Sequence, residues 1–186
     1  MSRGLPQPIG SGPDRRPPTT SVAVVALGAN LGDRERTLEE AVRDIARLPL
    51  VDAITVSEAL ESVALTPNGL DENAPPYLNA VALVTTRLAP TVLLTLLHRI
   101  EESHGRVRRP LGQTQEPRWG DRTLDLDLIA YGEVIADTPA LTLPHPRAAE
   151  RDFVLQPWLT VDPDAVLPGR GRVADLLQRL REGGNG

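Results

Sequence analysis

The chain has 186 residues, no cysteine and a formal net charge of −5 at pH 7. Its length suits one domain of ordinary size, which can bury most of its apolar surface without disulfide bonds. The lack of cysteine excludes disulfides and thiolate metal sites, and the negative charge argues against a nucleic-acid binder, which needs a basic surface.

The first 20 residues contain five prolines and three glycines, with Met1, Leu5 and Ile9 as their only sizeable apolar side chains. Such a segment buries too little to offset its ordering entropy, so we predict a disordered tail over residues 1–20. It lacks the apolar centre of a signal peptide, and no run elsewhere approaches the roughly 20 apolar residues that cross a bilayer. We therefore expect a cytoplasmic protein with no membrane partner.

Strand and helix patterns alternate through the middle of the chain. Asp33 suits the N-cap of a helix whose apolar residues, from Leu38 to Leu48, recur at helical spacing. Pro90 and Gly105 mark the start and the end of a second helix. In chain order, the predicted elements are a strand over 21–30, a helix over 33–48, strands over 51–60 and 77–88, a helix over 90–105 and a strand over 123–132.

This β-α-β-β-α-β order predicts an α+β fold, a ferredoxin-like sandwich, in one domain over residues 21–181. Its antiparallel sheet carries both helices on one face, and the other face is left open for a site. Residues 61–76 and 106–122 are predicted loops, the second of them strongly basic. Extra C-terminal elements follow, namely a short fifth strand near 133–137, Pro-containing loops that alternate with short apolar pieces, a helix over 173–181 and a flexible tail over 182–186.

Two aspartates interrupt the last strand of this pattern, in the stretch TLDLDLIAYG. Residues two apart in a strand point to the same face, about 7 Å from each other, so Asp125 and Asp127 share one face. The leucines of the stretch share the other face and are predicted to pack under the helices. Two carboxylates this close repel one another and need a neutralising charge. Nearby arginines on a solvated face supply one, and so does a divalent cation.

The basic loop favours the metal interpretation. Arginines bind phosphate oxygens in bidentate fashion, and Mg²⁺ binds carboxylates while sharing its shell with phosphate and water. Carboxylates, metal, polyphosphate and guanidinium groups would form layers of alternating charge, as expected for phosphoryl transfer from a Mg-nucleotide. The arginines of the loop are Arg106, Arg108, Arg109, Arg118 and Arg122.

Other catalytic chemistry has little support in the sequence. The turn GANLGD lacks the Gly-Lys-Ser/Thr ending of a phosphate-binding loop, and no serine or cysteine nucleophile motif occurs. The three histidines show no metal-ligand spacing. His145, between two prolines in LPHPR, is either an ordinary loop histidine or part of a site with Arg147 and Arg151.

Five motifs stand in a characteristic order and spacing: ALGANLGD, YLNAV, GRVR, RWGDRTLDLDLIAYG and LPHPRAAERDFVLQPW. Together they closely resemble the 6-hydroxymethyl-7,8-dihydropterin pyrophosphokinases of folate biosynthesis, over about residues 21 to 180. That family transfers the pyrophosphoryl group of ATP to the hydroxymethyl oxygen of the pterin and releases AMP. The resemblance implies two Mg²⁺ ions, ATP as co-substrate and a small-molecule acceptor. We expect a monomer.

The resemblance also implies roles for the charged residues. Asp125 and Asp127 match the family's two Mg²⁺ ligands, while Arg106 and Arg122 match arginines that stabilise charge as the β-phosphorus is attacked. Trp119 belongs to a lid that closes over ATP in the family, although beside Gly120 it also fits a packing anchor of the loop. The implied ATP-binding residues are Glu101, Arg108, Arg118, Trp119, His145 and Arg151.

For the pterin, the resemblance implies an amide that reads the ring edge and an aromatic ring that stacks on its face. A flat heterocycle with donors and acceptors on its rim suits this combination. Taken singly, Asn79 and Tyr77 also fit the end of a turn, and Phe153, the only phenylalanine, fits a core position. The implied pterin-binding residues are Thr66, Pro67, Tyr77, Asn79 and Phe153.

Three features depart from the family pattern: PLGQTQEP lengthens the basic loop, no aromatic residue precedes Thr66–Pro67, and the proline-rich tail is extra. Two other classes of function fit part of the sequence. A non-catalytic nucleotide sensor would keep the arginines without needing both carboxylates, and a structural domain would leave the aspartate pair solvated. We predict a Mg-dependent pyrophosphokinase that uses ATP and a reduced hydroxymethylpterin.

Overall fold

The computed structural model describes residues 20–66, 69–71, 75–105 and 123–183, with the backbone alone for 64–66 and 69–71. No helix within these ranges combines the length and the apolar character that a membrane crossing requires. The elements are β1 (Ser21–Ala29), α1 (Arg34–Ala46), β2 (Val51–Val56), β3 (Leu60–Ser62), β4 (Ala64–Thr66), β5 (Gly69–Asp71), β6 (Tyr77–Thr86), α2 (Pro90–Ser103), β7 (Asp125–Tyr131), β8 (Ala136–Thr138), β9 (Leu141–Leu143), α3 (Asp152–Val161), β10 (Val166–Leu167), β11 (Gly171–Arg172) and α4 (Val173–Gly183).

One antiparallel sheet organises the domain, in the strand order β2-β6-β1-β7, with β3 paired beside β6. β1, α1, β2, β6, α2 and β7 reproduce the predicted β-α-β-β-α-β order, so the ferredoxin-like prediction is confirmed. The helix cap is confirmed as well, because the side chain of Asp33 accepts a hydrogen bond from the Arg36 backbone N–H at 3.1 Å. The apolar runs of β1 and β6 lie at the centre of the sheet, where both faces are buried.

Helices cover both faces of the sheet, which corrects the prediction of one open face. α1 and α2 pack on the face lined by Leu27 and Leu126, as predicted. α3 and α4 pack on the other face, against Val24, Val81 and Ile129. The second face is therefore covered in part, and the partly exposed aspartates of β7 lie beyond that cover.

Several predicted boundaries differ from the structure. The segment that forms α3 was predicted only as part of an alternation of Pro-containing loops and short apolar pieces. Pro157 stands inside this helix, where proline is ordinarily unfavourable. The predicted strand over 51–60 is divided into β2 and β3, and the predicted loop over 61–76 contains the β4–β5 hairpin. α4 continues to Gly183, two residues into the segment predicted as a tail.

Leu50 offers a test of local backbone strain. Its φ is 63°, a left-handed conformation that costs a residue with a side chain about 1–2 kcal/mol. Its carbonyl accepts hydrogen bonds from Arg87 N and Thr86 Oγ1, both at 2.9 Å, so the turn is held in this conformation. We expect Leu50→Gly to raise the free energy of unfolding by about 0.5–1 kcal/mol in denaturant titrations. Val51→Gly in the adjoining strand should lower it; destabilisation by both changes would contradict this explanation.

Candidate active site

One row of paired residues crosses the sheet near the uncovered part of its face. Leu60 on β3 pairs with Asn79 on β6, Asn79 with Gly28 on β1, and Gly28 with Asp125 on β7. Directly paired residues point to the same face of a sheet, and neighbouring strands lie about 4.8 Å apart. Asn79 and Asp125 are therefore about 10 Å apart at their Cα atoms. Because Gly28 has no side chain, a gap separates them.

The aspartate pair lies as the strand alternation predicted. Leu124, Leu126 and Leu128 are buried in the core beneath α1 and α2. Asp125 and Asp127 point to the opposite face, and both are partly exposed. The side chain of Asp127 retains 30% of its accessible surface. The two carboxylates therefore lie side by side at an accessible surface.

Two groups from the C-terminal half of the chain approach the Asp127 carboxylate. Arg151 Nη1 donates to Asp127 Oδ2 at 2.8 Å, and His145 Nε2 lies 3.9 Å from the same oxygen. The guanidinium carbon of Arg151 also lies 5.7 Å from the centroid of the Phe153 ring, in cation–π range. Arg151 thus links the aspartate predicted to bind metal with the ring predicted to bind pterin.

His145 is held by backbone contacts on both sides. The backbone N–H of His145 donates to the Ile129 carbonyl at 2.8 Å. This bond attaches the LPHPR segment to β7 two residues beyond Asp127. His145 Nδ1 accepts from the Arg147 N–H at 3.3 Å. Burial lowers the pKa of His145 below its ordinary 6.5, although Asp127 acts in the opposite direction. In the neutral ring, whose Nδ1 accepts the Arg147 N–H, the hydrogen is on Nε2, the nitrogen nearer to Asp127.

Glu101 lies behind the aspartate pair. It is fully buried on α2, and its Oε1 accepts the Leu126 backbone N–H at 2.9 Å. Since Leu126 stands between Asp125 and Asp127, this carboxylate holds the stretch of strand that presents both. An ATP contact for Glu101 stays a prediction.

Two of the predicted pterin-binding residues, Asn79 and Tyr77, meet at the Gly28 gap. A Cβ atom built on Gly28 would lie 3.3 Å from Asn79 Oδ1 and 3.9 Å from Tyr77 Cδ1. Asn79 is 6% exposed, and its Nδ2 donates to Ser62 Oγ at 2.8 Å. The sequence interpretation missed Ser62, because a serine in a three-residue strand carries no signal of its own. Only the β3–β6 pairing, which is a long-range contact, identifies it.

Seven predicted site residues have no described side chain. Thr66 belongs to β4, but its side chain is not described, and six further residues lie outside the described ranges. The roles predicted for all of them stay predictions. The six are Pro67, Arg106, Arg108, Arg118, Trp119 and Arg122.

Comparison with known proteins identifies the family. The sequence model of 7,8-dihydro-6-hydroxymethylpterin-pyrophosphokinase (HPPK) matches residues 24–163. The chain belongs to this family. The 2-amino-4-hydroxy-6-hydroxymethyldihydropteridine pyrophosphokinase of Haemophilus influenzae is 37% identical over 160 residues, which cover 86% of this chain and 93% of that protein. The Pseudomonas aeruginosa protein of the same name is 39% identical over 153 residues, or 82% and 88% of the two chains.

Solved structures agree on the fold of this HPPK family member. A structure described as HPPK-DHPS in complex with substrates superposes with a TM-score of 0.65 at 12% identity, covering 90% of this chain and 44% of that one. A Plasmodium falciparum HPPK-DHPS triple mutant with SDX-DHP gives 0.64 at 15% identity, covering 92% and 47%. At these identities the likeness shows the fold alone. The family assignment makes the chain an enzyme, a pyrophosphokinase of folate biosynthesis.

The contact between Glu101 and β7 can be tested by two substitutions. Glu101→Ala leaves the Leu126 N–H buried without this acceptor, so we expect the free energy of unfolding to fall by about 1–3 kcal/mol. Glu101→Gln keeps an oxygen at the same position and should recover most of that loss. Denaturant titrations of the two variants provide the comparison. Equal destabilisation by both would show that the acceptor oxygen is not what matters.

Proposed function

We propose that this pyrophosphokinase transfers the pyrophosphoryl group of ATP to the hydroxymethyl oxygen of 6-hydroxymethyl-7,8-dihydropterin, giving the pterin diphosphate and AMP. The observation that carries the proposal is the row in which an amide and a carboxylate flank the Gly28 gap on one accessible face. The names of the similar proteins support the choice of acceptor. We further propose a monomer in the cytoplasm that acts on small molecules and has no membrane partner, and the net charge of −5 argues against a nucleic-acid partner.

The donor set at Asp125 and Asp127 fits Mg²⁺. No cluster of three or more potential metal-binding side chains occurs among the described residues. Magnesium suits such a site, since it commonly binds through one or two carboxylates and completes its shell with phosphate and water. In this structure the Arg151 guanidinium supplies a counter-charge to Asp127, so a bound ion would share this carboxylate with Arg151 or take its place. Two bound ions would neutralise the triphosphate and activate the pterin hydroxyl.

The pterin side of the site binds and orients the acceptor. Asn79 hydrogen-bonds to the ring edge, Tyr77 borders the Gly28 gap, and Phe153 stacks on the ring face. An acceptor held there lies within about 10 Å of Asp125, at the end of the same row. Holding the hydroxyl and the phosphate in fixed geometry replaces a bimolecular encounter with a step inside one complex.

The nucleotide side supplies positive charge and needs no covalent intermediate. Arg151 supplies this charge at the Asp127 carboxylate, and His145 Nε2 offers a donor beside it, both within reach of phosphate oxygens brought to that position. The pterin hydroxyl attacks the β-phosphorus in line, and fixed positive groups stabilise the charge that develops there. Arg106 and Arg122 are proposed to stabilise the same charge, and the remaining proposed ATP-binding residues are Glu101, Arg108, Arg118 and Trp119.

One assay separates the proposed enzyme from its alternatives. The protein is incubated with ATP, Mg²⁺ and 6-hydroxymethyl-7,8-dihydropterin, and the nucleotide products are resolved. AMP and a diphosphorylated pterin in equal amounts are expected. ADP would identify a kinase that transfers one phosphate, and bound nucleotide without turnover would favour a sensor. Chelation of the divalent cation should stop the reaction.

Asp127→Ala tests the metal assignment. We expect kcat to fall by at least about 100-fold, because the carboxylate proposed to bind both ions is lost. Far-UV circular dichroism should remain that of the parent protein. Asp137→Ala removes an exposed carboxylate from β8 and is the matched control. If the Asp127 variant kept most of its rate, the aspartate pair could not be the metal site.

Asn79→Ala tests the pterin assignment. Loss of the amide should raise the KM for the pterin about tenfold or more, while the KM for ATP changes by less than about twofold. Steady-state kinetics with each substrate varied in turn measure the two constants. An equal loss of affinity on both sides would mean that Asn79 supports the whole site and does not read the acceptor.

A further inference from the structure

We propose that Ser62 is a positioning residue that fixes the direction in which Asn79 presents its carboxamide to the pterin. This inference rests on the proposed function, because it concerns how Asn79 recognises the acceptor. Asparagine has a donor at one end of its amide and an acceptor at the other. Which end faces the substrate therefore decides which ring edge is accepted, and in this chain a serine on the neighbouring strand holds one of the two ends.

The nitrogen end of the amide faces β3. In the β3–β6 register Leu60 pairs with Asn79 and Ser62 pairs with Tyr77, so the four side chains share one face. Asn79 Nδ2 donates to Ser62 Oγ at 2.8 Å and lies 3.5 Å from the Leu60 carbonyl oxygen. Only the first distance is that of a well-formed hydrogen bond. The serine hydroxyl is thus the main anchor of the amide nitrogen.

The oxygen end of the amide faces β1. Asn79 Oδ1 is the nearest atom to a Cβ built on Gly28, at 3.3 Å, so it borders the gap between Asn79 and Asp125. In this orientation the amide oxygen accepts a hydrogen bond from an N–H group on the substrate edge. A half-turn about the Cβ–Cγ bond would present the amide hydrogens instead, and that torsion has a broad, twofold preference. The contact with Ser62 selects one of the two orientations.

An arginine of α1 contacts both β3 and the residue before β6. The guanidinium of Arg34, at the start of α1, donates to Glu61 Oε1 at 2.7 Å and to the Pro76 carbonyl at 2.7 Å. Glu61 directly precedes Ser62, and Pro76 directly precedes Tyr77. One side chain therefore joins the strand that carries the serine to the start of the strand that carries Asn79.

Two substitutions at Ser62 isolate the hydroxyl. Ser62→Ala removes the anchor without adding bulk, and Ser62→Thr keeps a hydroxyl on a residue that suits a strand. We expect Ser62→Ala to raise the KM for the pterin about fivefold and to change kcat and the KM for ATP by less than about twofold. Ser62→Thr should return the pterin KM to near the parent value. A parent-like KM in Ser62→Ala would overturn the inference.

Ser57, which lies between β2 and β3, provides a matched control because it also contacts β6. Its Oγ accepts the Val81 N–H at 2.9 Å and donates to the Glu58 carbonyl at 2.9 Å, so it also holds β6, two residues beyond Asn79. Ser57→Ala should lower the unfolding midpoint and leave the pterin KM unchanged. Equal rises in pterin KM for the Ser57 and Ser62 variants would show a general loosening of β6 and would overturn the inference.

A double-mutant cycle separates the positioning role from the proposed function. If Ser62 acts through Asn79, then Ser62→Ala added to Asn79→Ala should raise the pterin KM no further. Additive effects would mean that Ser62 contacts the substrate itself, contrary to the inference. A normal pterin KM in the Asn79→Ala enzyme would defeat the proposed function as well. A raised KM in Asn79→Ala combined with a normal one in Ser62→Ala would defeat the positioning role alone.

Discussion

β1 pairs with β6 and with β7 in a register that sets Gly28 opposite Asn79 on one side and opposite Asp125 on the other. A slip of one residue in either ladder would turn the amide or the carboxylates into the apolar core and bring leucines to the surface. Burial of Leu27 and Leu126 on the opposite face makes such a slip costly. The packing that stabilises the sheet therefore also aligns the two halves of the site.

The site is completed by a segment that returns to the sheet after β7. The backbone bond from His145 to Ile129 brings this segment beside the aspartates, and α3 then packs against β6 and β3. Arg151, at the start of α3, contacts both Asp127 and Phe153. The start of α3 thus joins a residue proposed to bind metal to a residue proposed to bind pterin. Glu101 supports β7 separately, from α2.

Features with a local pattern were predictable from the sequence, and features made by distant contacts were not. The alternation around Asp125 and Asp127 gave the correct faces, and Asp33 gave the correct helix cap. α3 was missed because its apolar residues outweigh the unfavourable Pro157 only when they pack on the sheet, against Val81 and Ile129.

The predicted pterin-binding residues show the same contrast between local patterns and distant contacts. Asn79 was recognised by its motif, whereas its partner Ser62 is 17 positions away in sequence and becomes visible only through strand pairing. The cover of α3 and α4 on the second face was missed for a similar reason. The sequence between Tyr131 and Val173 alternates short apolar pieces with prolines, and its packing depends on the sheet that it covers.

The ion pair between Arg151 and Asp127 bears on how the proposed substrates would enter. A divalent ion that arrived alone at the proposed site would compete with the guanidinium, 2.8 Å from Asp127 Oδ2, for this carboxylate, and a displaced guanidinium would lose its counter-charge in a side chain that is 19% exposed. An ion that arrives on a nucleotide brings phosphate oxygens, to which Arg151 can transfer as Asp127 changes partner. Each charge then stays compensated during the exchange, which favours joint arrival of ion and nucleotide over sequential loading.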